Sequence, residues 1–365
     1  MLQIFIFVSI FSLIVFASHL PLYFFLIKFF GFSNKNLLLL IMALLSLSHI
    51  SANLIIHKFD NIITRIFYLL SAVWLGILVC FLILIFFSSI LLIAANLLGF
   101  SINLKIAGLF IILLSLAWSS FNYINSRQLN IKELEISIKN LPARWENKKI
   151  VQISDVHLGV IHGMDYMEKI VDKTNSLSPE AVFITGDLFD GAGDNLARSV
   201  SPLNNLSSRL GTYFITGNHE TYLGKENTKK ALSGINITEL KDRVVDLNGI
   251  SLIGINYILR GEQKNIKDIL DKADMEKPKI LLLHEPIKVD YFRESGINLM
   301  LSGHTHRGQM WPFNYITKQI YKGYDYGLHT MDDFNIYTTN GAGTWGPPFR
   351  SMQASEIVSI TLKRK

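Results

Sequence analysis

Cysteine is almost missing: the 365-residue chain carries one, Cys80, inside an apolar run. A lone thiol excludes an intramolecular disulfide and any metal site built from cysteine ligands. Charge is scarce as well. Asp, Glu, Lys and Arg make up 18% of the residues, against roughly a quarter in ordinary soluble proteins. The net charge of +6 is modest for this length, and no basic cluster interleaved with aromatics occurs. The footprint of a nucleic-acid binder is therefore absent and no such partner is expected, whereas a mild positive charge suits an anionic lipid surface. Internal repeats and low-complexity segments are absent too.

The missing charge is missing in one place. Half of the residues are hydrophobic, and the excess lies almost entirely before Arg127. Residues 1–27, 36–56, 66–104 and 106–126 contain no Asp, Glu, Lys or Arg. About 20 such residues span a bilayer as a helix, the form that pairs every backbone group internally. The first stretch lacks a basic start and a small-residue cleavage site, so it reads as a span and not as a signal peptide. The third is too long for one upright span and reads as a span with an interfacial extension. His19 and His49 lie within spans without ionisable companions and read as helix-packing residues. With four spans, Lys58, Arg65, Arg127 and Lys132 lie on one side, against Lys28, Lys35 and Lys105 on the other. The positive-inside rule then places the remainder of the chain in the cytoplasm. The expected organisation is a transmembrane helical module over 1–126 and a folded domain over 127–365, making an integral, multi-pass membrane protein with membrane lipids as partners.

From Ile131 the texture changes. Residues 133–138 alternate at period two, and 150–153, 181–185, 212–216, 250–255, 280–283, 297–301 and 356–362 are short apolar runs suited to buried strands. Helical patterns cover 166–177, 195–206, 266–273 and 287–294. Strands alternating with helices indicate a layered α/β domain.

Five polar clusters follow these runs: Ser154-Asp155-Val156-His157, Gly186-Asp187, Gly217-Asn218-His219-Glu220, His284-Glu285 and Gly303-His304-Thr305-His306. Ligands of open α/β sheets bind at the carboxyl ends of strands. The Asp, Asn and His donors suit divalent Mn, Fe or Zn. In an extended segment residues two apart point the same way, so Asp155 and His157 are expected to reach one metal together. His304 and His306 stand in the same relation, or splay to two neighbouring metals. Glycine before Asp187, Asn218 and His304 is expected to let the chain turn sharply and expose the ligand.

The ordered set D-x-H, G-D, G-N-H-E, H and G-H-x-H, from Asp155 to His306, resembles the calcineurin-like metallophosphoesterase family. The Arg307-Gly308-Gln309 extension and the tail 341–350 resemble its membrane-anchored branch, which includes bacterial phosphodiesterases and the chlamydial-type UDP-diacylglucosamine hydrolase. The resemblance implies a layered α/β/β/α sandwich over about residues 130–365 and two divalent metal ions, Mn foremost, with Fe or Zn as alternatives. It implies that Asp155, His157, Asp187 and His306 hold one ion, and that Asp187, Asn218, His284 and His304 hold the other. His219 would be the catalytic acid or transition-state stabiliser beside the scissile phosphate, with Glu220 orienting an imidazole or the loop.

Arg307 and Arg350 are candidates for binding a further phosphate, since guanidinium forks suit phosphate oxygens; structural ion pairing is the alternative. Trp345, Pro347 and Pro348 read as a wall for an acyl or sugar group, or as packing. Asp190 reads as a loop-capping residue, and His162, His329 and Glu285 as ordinary surface or supporting residues. The chain carries Asn256 where the family often has an acidic residue.

The implied activity is hydrolysis of a phosphodiester or pyrophosphate bond in a phosphorylated small molecule or lipid. A phosphomonoesterase is the alternative within the class, and a non-catalytic membrane sensor with a metal-binding domain the alternative outside it.

Overall fold

A computed structural model describes residues 2–191, 196–259 and 261–365. Two compact units emerge, Met1–Ile124 with Gly346–Phe349, and Asn125–Trp345 with Arg350–Lys365.

The first unit is built from α1 (Leu2–Phe30), α2 (Lys35–Lys58), α3 (Ile62–Leu97) and α4 (Leu104–Ser126). All four are long and apolar enough to cross a membrane. The starts of α2 and α3 are set by side-chain caps. Asn34 accepts from Leu37 N at 3.0 Å, and Asn61 accepts from Ile63 N at 3.0 Å and Thr64 N at 3.2 Å, satisfying donors the helix cannot pair itself. Ser88, Ser89 and Asn96 do not interrupt α3. Its 36 residues extend about 54 Å, well beyond a hydrocarbon core of about 30 Å. His19 and His49 find partners inside the bundle. His19 Nδ1 donates to Val15 O at 2.7 Å while Nε2 accepts from Trp74 Nε1 at 3.0 Å, and His49 Nδ1 lies 3.1 Å from Ser71 Oγ. Phe349 belongs to this unit, its ring occupying the space a side chain at Gly76 would need.

The second unit holds twelve strands among the described residues: β1 (Leu129–Ile138), β2 (Lys149–Ile153), β3 (Ala181–Ile184), β4 (Thr212–Phe214), β5 (Thr238–Glu239), β6 (Arg243–Asp246), β7 (Ser251–Ile255), β8 (Lys279–Leu283), β9 (Leu299–Ser302), β10 (Gly327–Met331), β11 (Phe334–Thr338) and β12 (Ser355–Arg364). One sheet has the order β1-β12-β2-β3-β4-β5, the other β10-β11-β9-β8-β7-β6. Within the first, β2 to β5 are parallel; within the second, β7, β8, β9 and β11 are parallel.

Three apolar cores follow from this arrangement. Ile150, Phe183, Ile280, Leu282 and Leu299 fill the space between the sheets. Val151, Ile153, Val182 and Ile184 pack outward against α5 (Met164–Ser176) through Met167, Ile170 and Val171. Leu281, Leu283 and Met300 do the same against Ile266, Ile269 and Phe292. Strands buried on both faces read as continuous apolar runs, and the layers stack as the expected α/β/β/α sandwich.

Several expectations need adjusting. Residue 195 of the expected helix 195–206 lies outside the described residues; the remainder forms α6 (Leu196–Val200) and a 3₁₀ turn, Ser201–Asn205, that contains Pro202. Lys288, at φ +54°, delays the helix expected from 287 to Val289–Glu294. The β10–β11 hairpin was not foreseen. All five residues of β11 are buried, yet Asn335 and Thr338 break its apolar pattern. Asn335 is accommodated because its Nδ2 donates to Asn298 O at 3.2 Å and Ser137 O at 3.3 Å.

Candidate metal centre

Both sheets deliver polar residues to one place: β2, β3 and β4 from the first, β8 and β9 from the second. Past the strand ends the backbone ladder continues, with Asp155 N donating to Gly186 O at 3.0 Å and His157 N to Asp187 O at 3.1 Å. The conformation there is unusual. Asp155, His157, Asp187, His304 and His306 all have φ between +48° and +70°, a region costing a non-glycine residue about 1–2 kcal/mol and concentrated at functional sites. The expectation of an extended segment is corrected accordingly: Asp155 and His157 converge as left-handed residues, and so do His304 and His306.

The glycines are corrected too. Gly186, at φ +99°, does turn the chain. Gly217 and Gly303 are needed for space instead: a Cβ at 217 would overlap Asp187 Oδ1, and one at 303 would overlap Asp155 Oδ2 and Ser154 Oγ.

Two groups of donors result. In the first, His157 Nε2 and His306 Nε2 lie 2.9 Å apart, with Asp155 Oδ1 3.6 Å from the latter. In the second, Asp187 Oδ2 is 3.1 Å from His284 Nε2, and Asn218 Oδ1 is 2.8 Å from His304 Nδ1. His157 Nε2 is 4.0 Å from Asp187 Oδ2, which joins the groups. Asp155, His157, Asp187 and His284 are almost wholly buried, while His304 is the most open of the set. His304 N donates to both oxygens of Asp155, at 3.0 and 3.1 Å, so the two sheets are joined at the donors themselves. His284 Nδ1 donates to Thr185 O at 2.7 Å across the same gap, which fixes the tautomer and leaves Nε2 as the coordinating nitrogen.

Charge in the cluster is finely balanced. Burial lowers His157 and His306 well below the ordinary imidazole range, and burial beside charged His284 lowers His304 to about 3. These rings are neutral, with lone pairs available. Burial pushes Asp155 up to about 6 and, with Asp187 adding to it, Glu220 up to about 7. Burial works against protonated His284, yet Asp187 and Asp155 hold it at about 10. Asp187 is burdened by burial as well, but the charge of His284 and its neighbours keeps the carboxyl well below the usual range. His284 Nε2 is nevertheless off any hydrogen-bond axis despite complete burial. Once deprotonated, that nitrogen would offer its lone pair to a cation that also takes up the neighbouring Asp187 carboxylate. The surrounding O and N donors suit a divalent metal, and three overlapping sets are grouped closely enough to hold one: Asp155 with His157 and His306, His157 with Asp187 and His219, and Asp187 with His284 and His304.

Supporting residues are equally ordered. Glu220 lies in the first turn of α7 (Asn218–Leu223) and accepts three backbone N–H groups, from Asp187 at 2.9 Å, Gly217 at 2.7 Å and Phe189 at 3.0 Å. It orients the loops after β3 and β4, the second of the two alternatives its position suggested. His219 N donates to Asp187 Oδ1 at 2.9 Å, and its Nδ1 lies 3.0 Å from Asp190 O. Asp190 is more than a capping residue, since its Oδ1 lies 3.7 Å from both His157 Nδ1 and His219 Nδ1. Its three-residue offset from Asp187 was the only signal.

Among the remaining candidates, Arg307 is half-buried, its guanidinium 4.6 Å from the centre of the Tyr326 ring. Arg350 fits the structural alternative raised for it: it is fully buried, its Nη2 donates to Asn340 O at 2.7 Å and Gly343 O at 2.6 Å and so braces the 340–343 loop, and the same Nη2 lies 3.3 Å from His306 Nδ1. His162 is buried, not superficial, and its Nε2 accepts from Thr344 N at 3.0 Å. Glu285 accepts from Tyr321 OH at 2.9 Å and lies 3.9 Å from His304 Nε2. Asn256 Oδ1 accepts from Thr216 N at 3.2 Å, a bond that ties the loop after β7 to that after β4.

Comparison with known proteins converges on the same class. The calcineurin-like phosphoesterase pattern matches residues 148–308. A Helicobacter pylori protein described as an uncharacterized metallophosphoesterase is 36% identical over 264 residues, covering 71% of this chain and 70% of the relative. A Bos taurus protein described as a transmembrane protein with metallophosphoesterase domain is 32% identical over 253 residues, covering 64% of this chain and 57% of that one. The chain belongs to the calcineurin-like metallophosphoesterase family, whose members are phosphoester hydrolases that use divalent metals. It is also a membrane protein, with four long apolar helices preceding the phosphoesterase domain.

Proposed function

We propose that this chain uses two divalent metal ions to hydrolyse a phosphodiester or pyrophosphate bond at a membrane surface, in a lipid-linked or nucleotide-linked substrate such as UDP-diacylglucosamine. The observation that carries this reading is the convergence of seven donors from two sheets on one buried cluster. Asp155, His157, Asp187 and His306 would hold one ion, and Asp187, Asn218, His284 and His304 the other, with Asp187 shared. Ions held there would offset phosphoryl charge and lower the pKa of water.

The protein's own groups do the rest. Asp190 O accepts from His219 Nδ1, which orients the ring and leaves Nε2 as the nitrogen available to the substrate; only the imidazolium form would carry a proton there for the leaving oxygen. Glu220 keeps the loops bearing Asp187 and Asn218 in register. No covalent enzyme intermediate is required.

The test is hydrolysis by the detergent-purified full chain of a panel of diesters, monoesters and nucleotide–lipid pyrophosphates, after chelation and with Mn, Fe or Zn restored. Activity is expected on the diester or pyrophosphate members, only with metal, and lost in Asp187→Asn. A fully active Asp187→Asn variant, or turnover indifferent to chelation, rejects the assignment; a preference for monoesters replaces the diester reading. The excess of Lys58, Arg65, Arg127 and Lys132 over the opposite loops supports a cytoplasmic catalytic domain.

A further inference from the structure

Helix Phe313–Ile320 is built inside out. Toward the domain it turns polar groups: Thr317 Oγ1 donates to Asp325 Oδ2 at 3.1 Å, and Tyr321 OH, just past the end, reaches Glu285. The backbone at Asn314 packs so closely on Gly308 that a Cβ there would overlap it. Outward it turns Phe313, Ile316 and Ile320, which are 42%, 53% and 63% exposed. Spacings of three and four residues place these in one stripe. No residue of the helix is buried. A surface helix of a soluble domain shows the reverse, apolar face inward and polar face outward.

What should cover the stripe is indicated by its surroundings. Tyr315 is 59% exposed on the same helix, and Lys318 and Lys322 are exposed beside it. Aromatic rings and lysines flanking an apolar stripe are the composition of a helix lying in a bilayer interface, where basic residues meet anionic headgroups. A second copy of the chain docking symmetrically through this face would set lysine against lysine. The chain also carries four spans of its own, so lipid is present at high effective concentration. The helix adjoins the donor turn His306–Gly308 through Gly308. Gln309, next in that turn, exchanges bonds of 2.9 and 3.0 Å with the backbone of Trp345. Trp345 is 55% exposed, and its ring lies 6.3 Å from that of His219.

We propose that helix Phe313–Ile320 docks on the anionic bilayer interface and so presents the metal-binding turn to substrates that reside in the membrane. This rests on the phosphoesterase function proposed above and assigns its substrates to the lipid phase.

The full chain in phosphatidylcholine–phosphatidylglycerol vesicles tests the inference in two independent ways. With Cys80 buried, a fluorophore on Ile320→Cys reports its own surroundings; quenching by brominated lipid is expected, and absence of quenching overturns the proposal. The Ile316→Ser/Ile320→Ser double variant, altering side chains with no buried contact, is expected to lose at least about tenfold in turnover of a diacylglycerol-linked nucleoside pyrophosphate in the vesicles, the scale of one lost buried aliphatic side chain. Its turnover of aqueous bis(p-nitrophenyl) phosphate is expected to stay unchanged. Equal loss on both substrates, or shielding of the label that rises with protein density and not with lipid, refutes lipid docking. Should the wild type cleave neither substrate, the functional reading fails while the quenching measurement still decides the docking.

Discussion

At pH 8, above the value of about 7 to which burial and Asp187 raise Glu220, its replacement by Gln keeps shape and removes a charge. Oε2 accepts from Asp187 N and Gly217 N, and Oε1 from Phe189 N. Glutamine has one oxygen, best placed where two donors meet, so its NH₂ group then confronts the Phe189 N–H. One charge-assisted bond of about 1.5–3 kcal/mol is lost and one buried N–H is left unpaired, so with partial relaxation a destabilisation of about 2–4 kcal/mol is expected. The loops bearing Asp187 and Asn218 should loosen together, and groups that orient metal ligands are typically worth about 10–100-fold in metal affinity or activity. The assay is apparent Tm and bound Mn per chain, measured on the detergent-solubilised protein across a Mn titration. Glu220→Gln should unfold earlier and need about 10–100-fold more Mn for half-occupancy. A lower Tm with an unchanged Mn midpoint would reduce Glu220 to a purely structural residue. No change in either would refute the reasoning outright.

The remaining predictions concern the donor turn and the topology. Gly303→Ala leaves the backbone conformation permitted but drives a methyl into Asp155 Oδ2 and Ser154 Oγ. Turnover is expected to fall about 10²-fold, the usual scale for misplacement of reacting groups by about 1 Å; near-normal rates with full metal content would show that Asp155 has room to yield. For orientation, a reporter fused after Lys365 that is active only outside the cytoplasm is expected to stay silent in cells, and its activation would reverse the topology.

Much of the site was legible because its chemistry sits at strand ends. An apolar run followed at once by Asp, Asn or His is visible without any structure, and β2, β3, β4, β8 and β9 all read that way. The local conformation was not legible. Nothing in the letters Asp155-Val156-His157 distinguishes an extended segment from two left-handed residues, because that choice is imposed by neighbours: the ladder to Gly186 and Asp187, and His304 N pinning the Asp155 carboxylate. Arg350 stood between two readings for a related reason, since a guanidinium suits phosphate or protein oxygens until the carbonyls of Asn340 and Gly343 are seen around it. β11 was hidden by buried polar residues whose partners lie far away in sequence. Helix Phe313–Ile320 escaped because its 8 residues repeat a period of about 3.6 barely twice.

Charge balance gives an independent reason why this cluster suits cations. Asp155, Asp187 and Glu220 are buried within one constellation, with the Asp190 carboxylate at its edge. Backbone N–H groups satisfy many of their oxygens, but burying several like charges together is unfavourable unless positive charge offsets them. Against them stand buried Arg350, whose Nη2 already serves carbonyl groups, and a proton on His284. Protons fill the gap: Asp155 at about 6, Glu220 at about 7 and His284 at about 10 all hold protons more tightly than such groups do in water. Each raised affinity for a proton is a raised affinity for positive charge in general, and metal binding at such sites proceeds by displacing protons. Neutral His157, His304 and His306 add lone pairs without adding charge. A site with closely set carboxylates, neutral nitrogen donors and left-handed backbone that the surrounding ladder must hold in place is poorly arranged for stability alone, and well arranged for divalent metal.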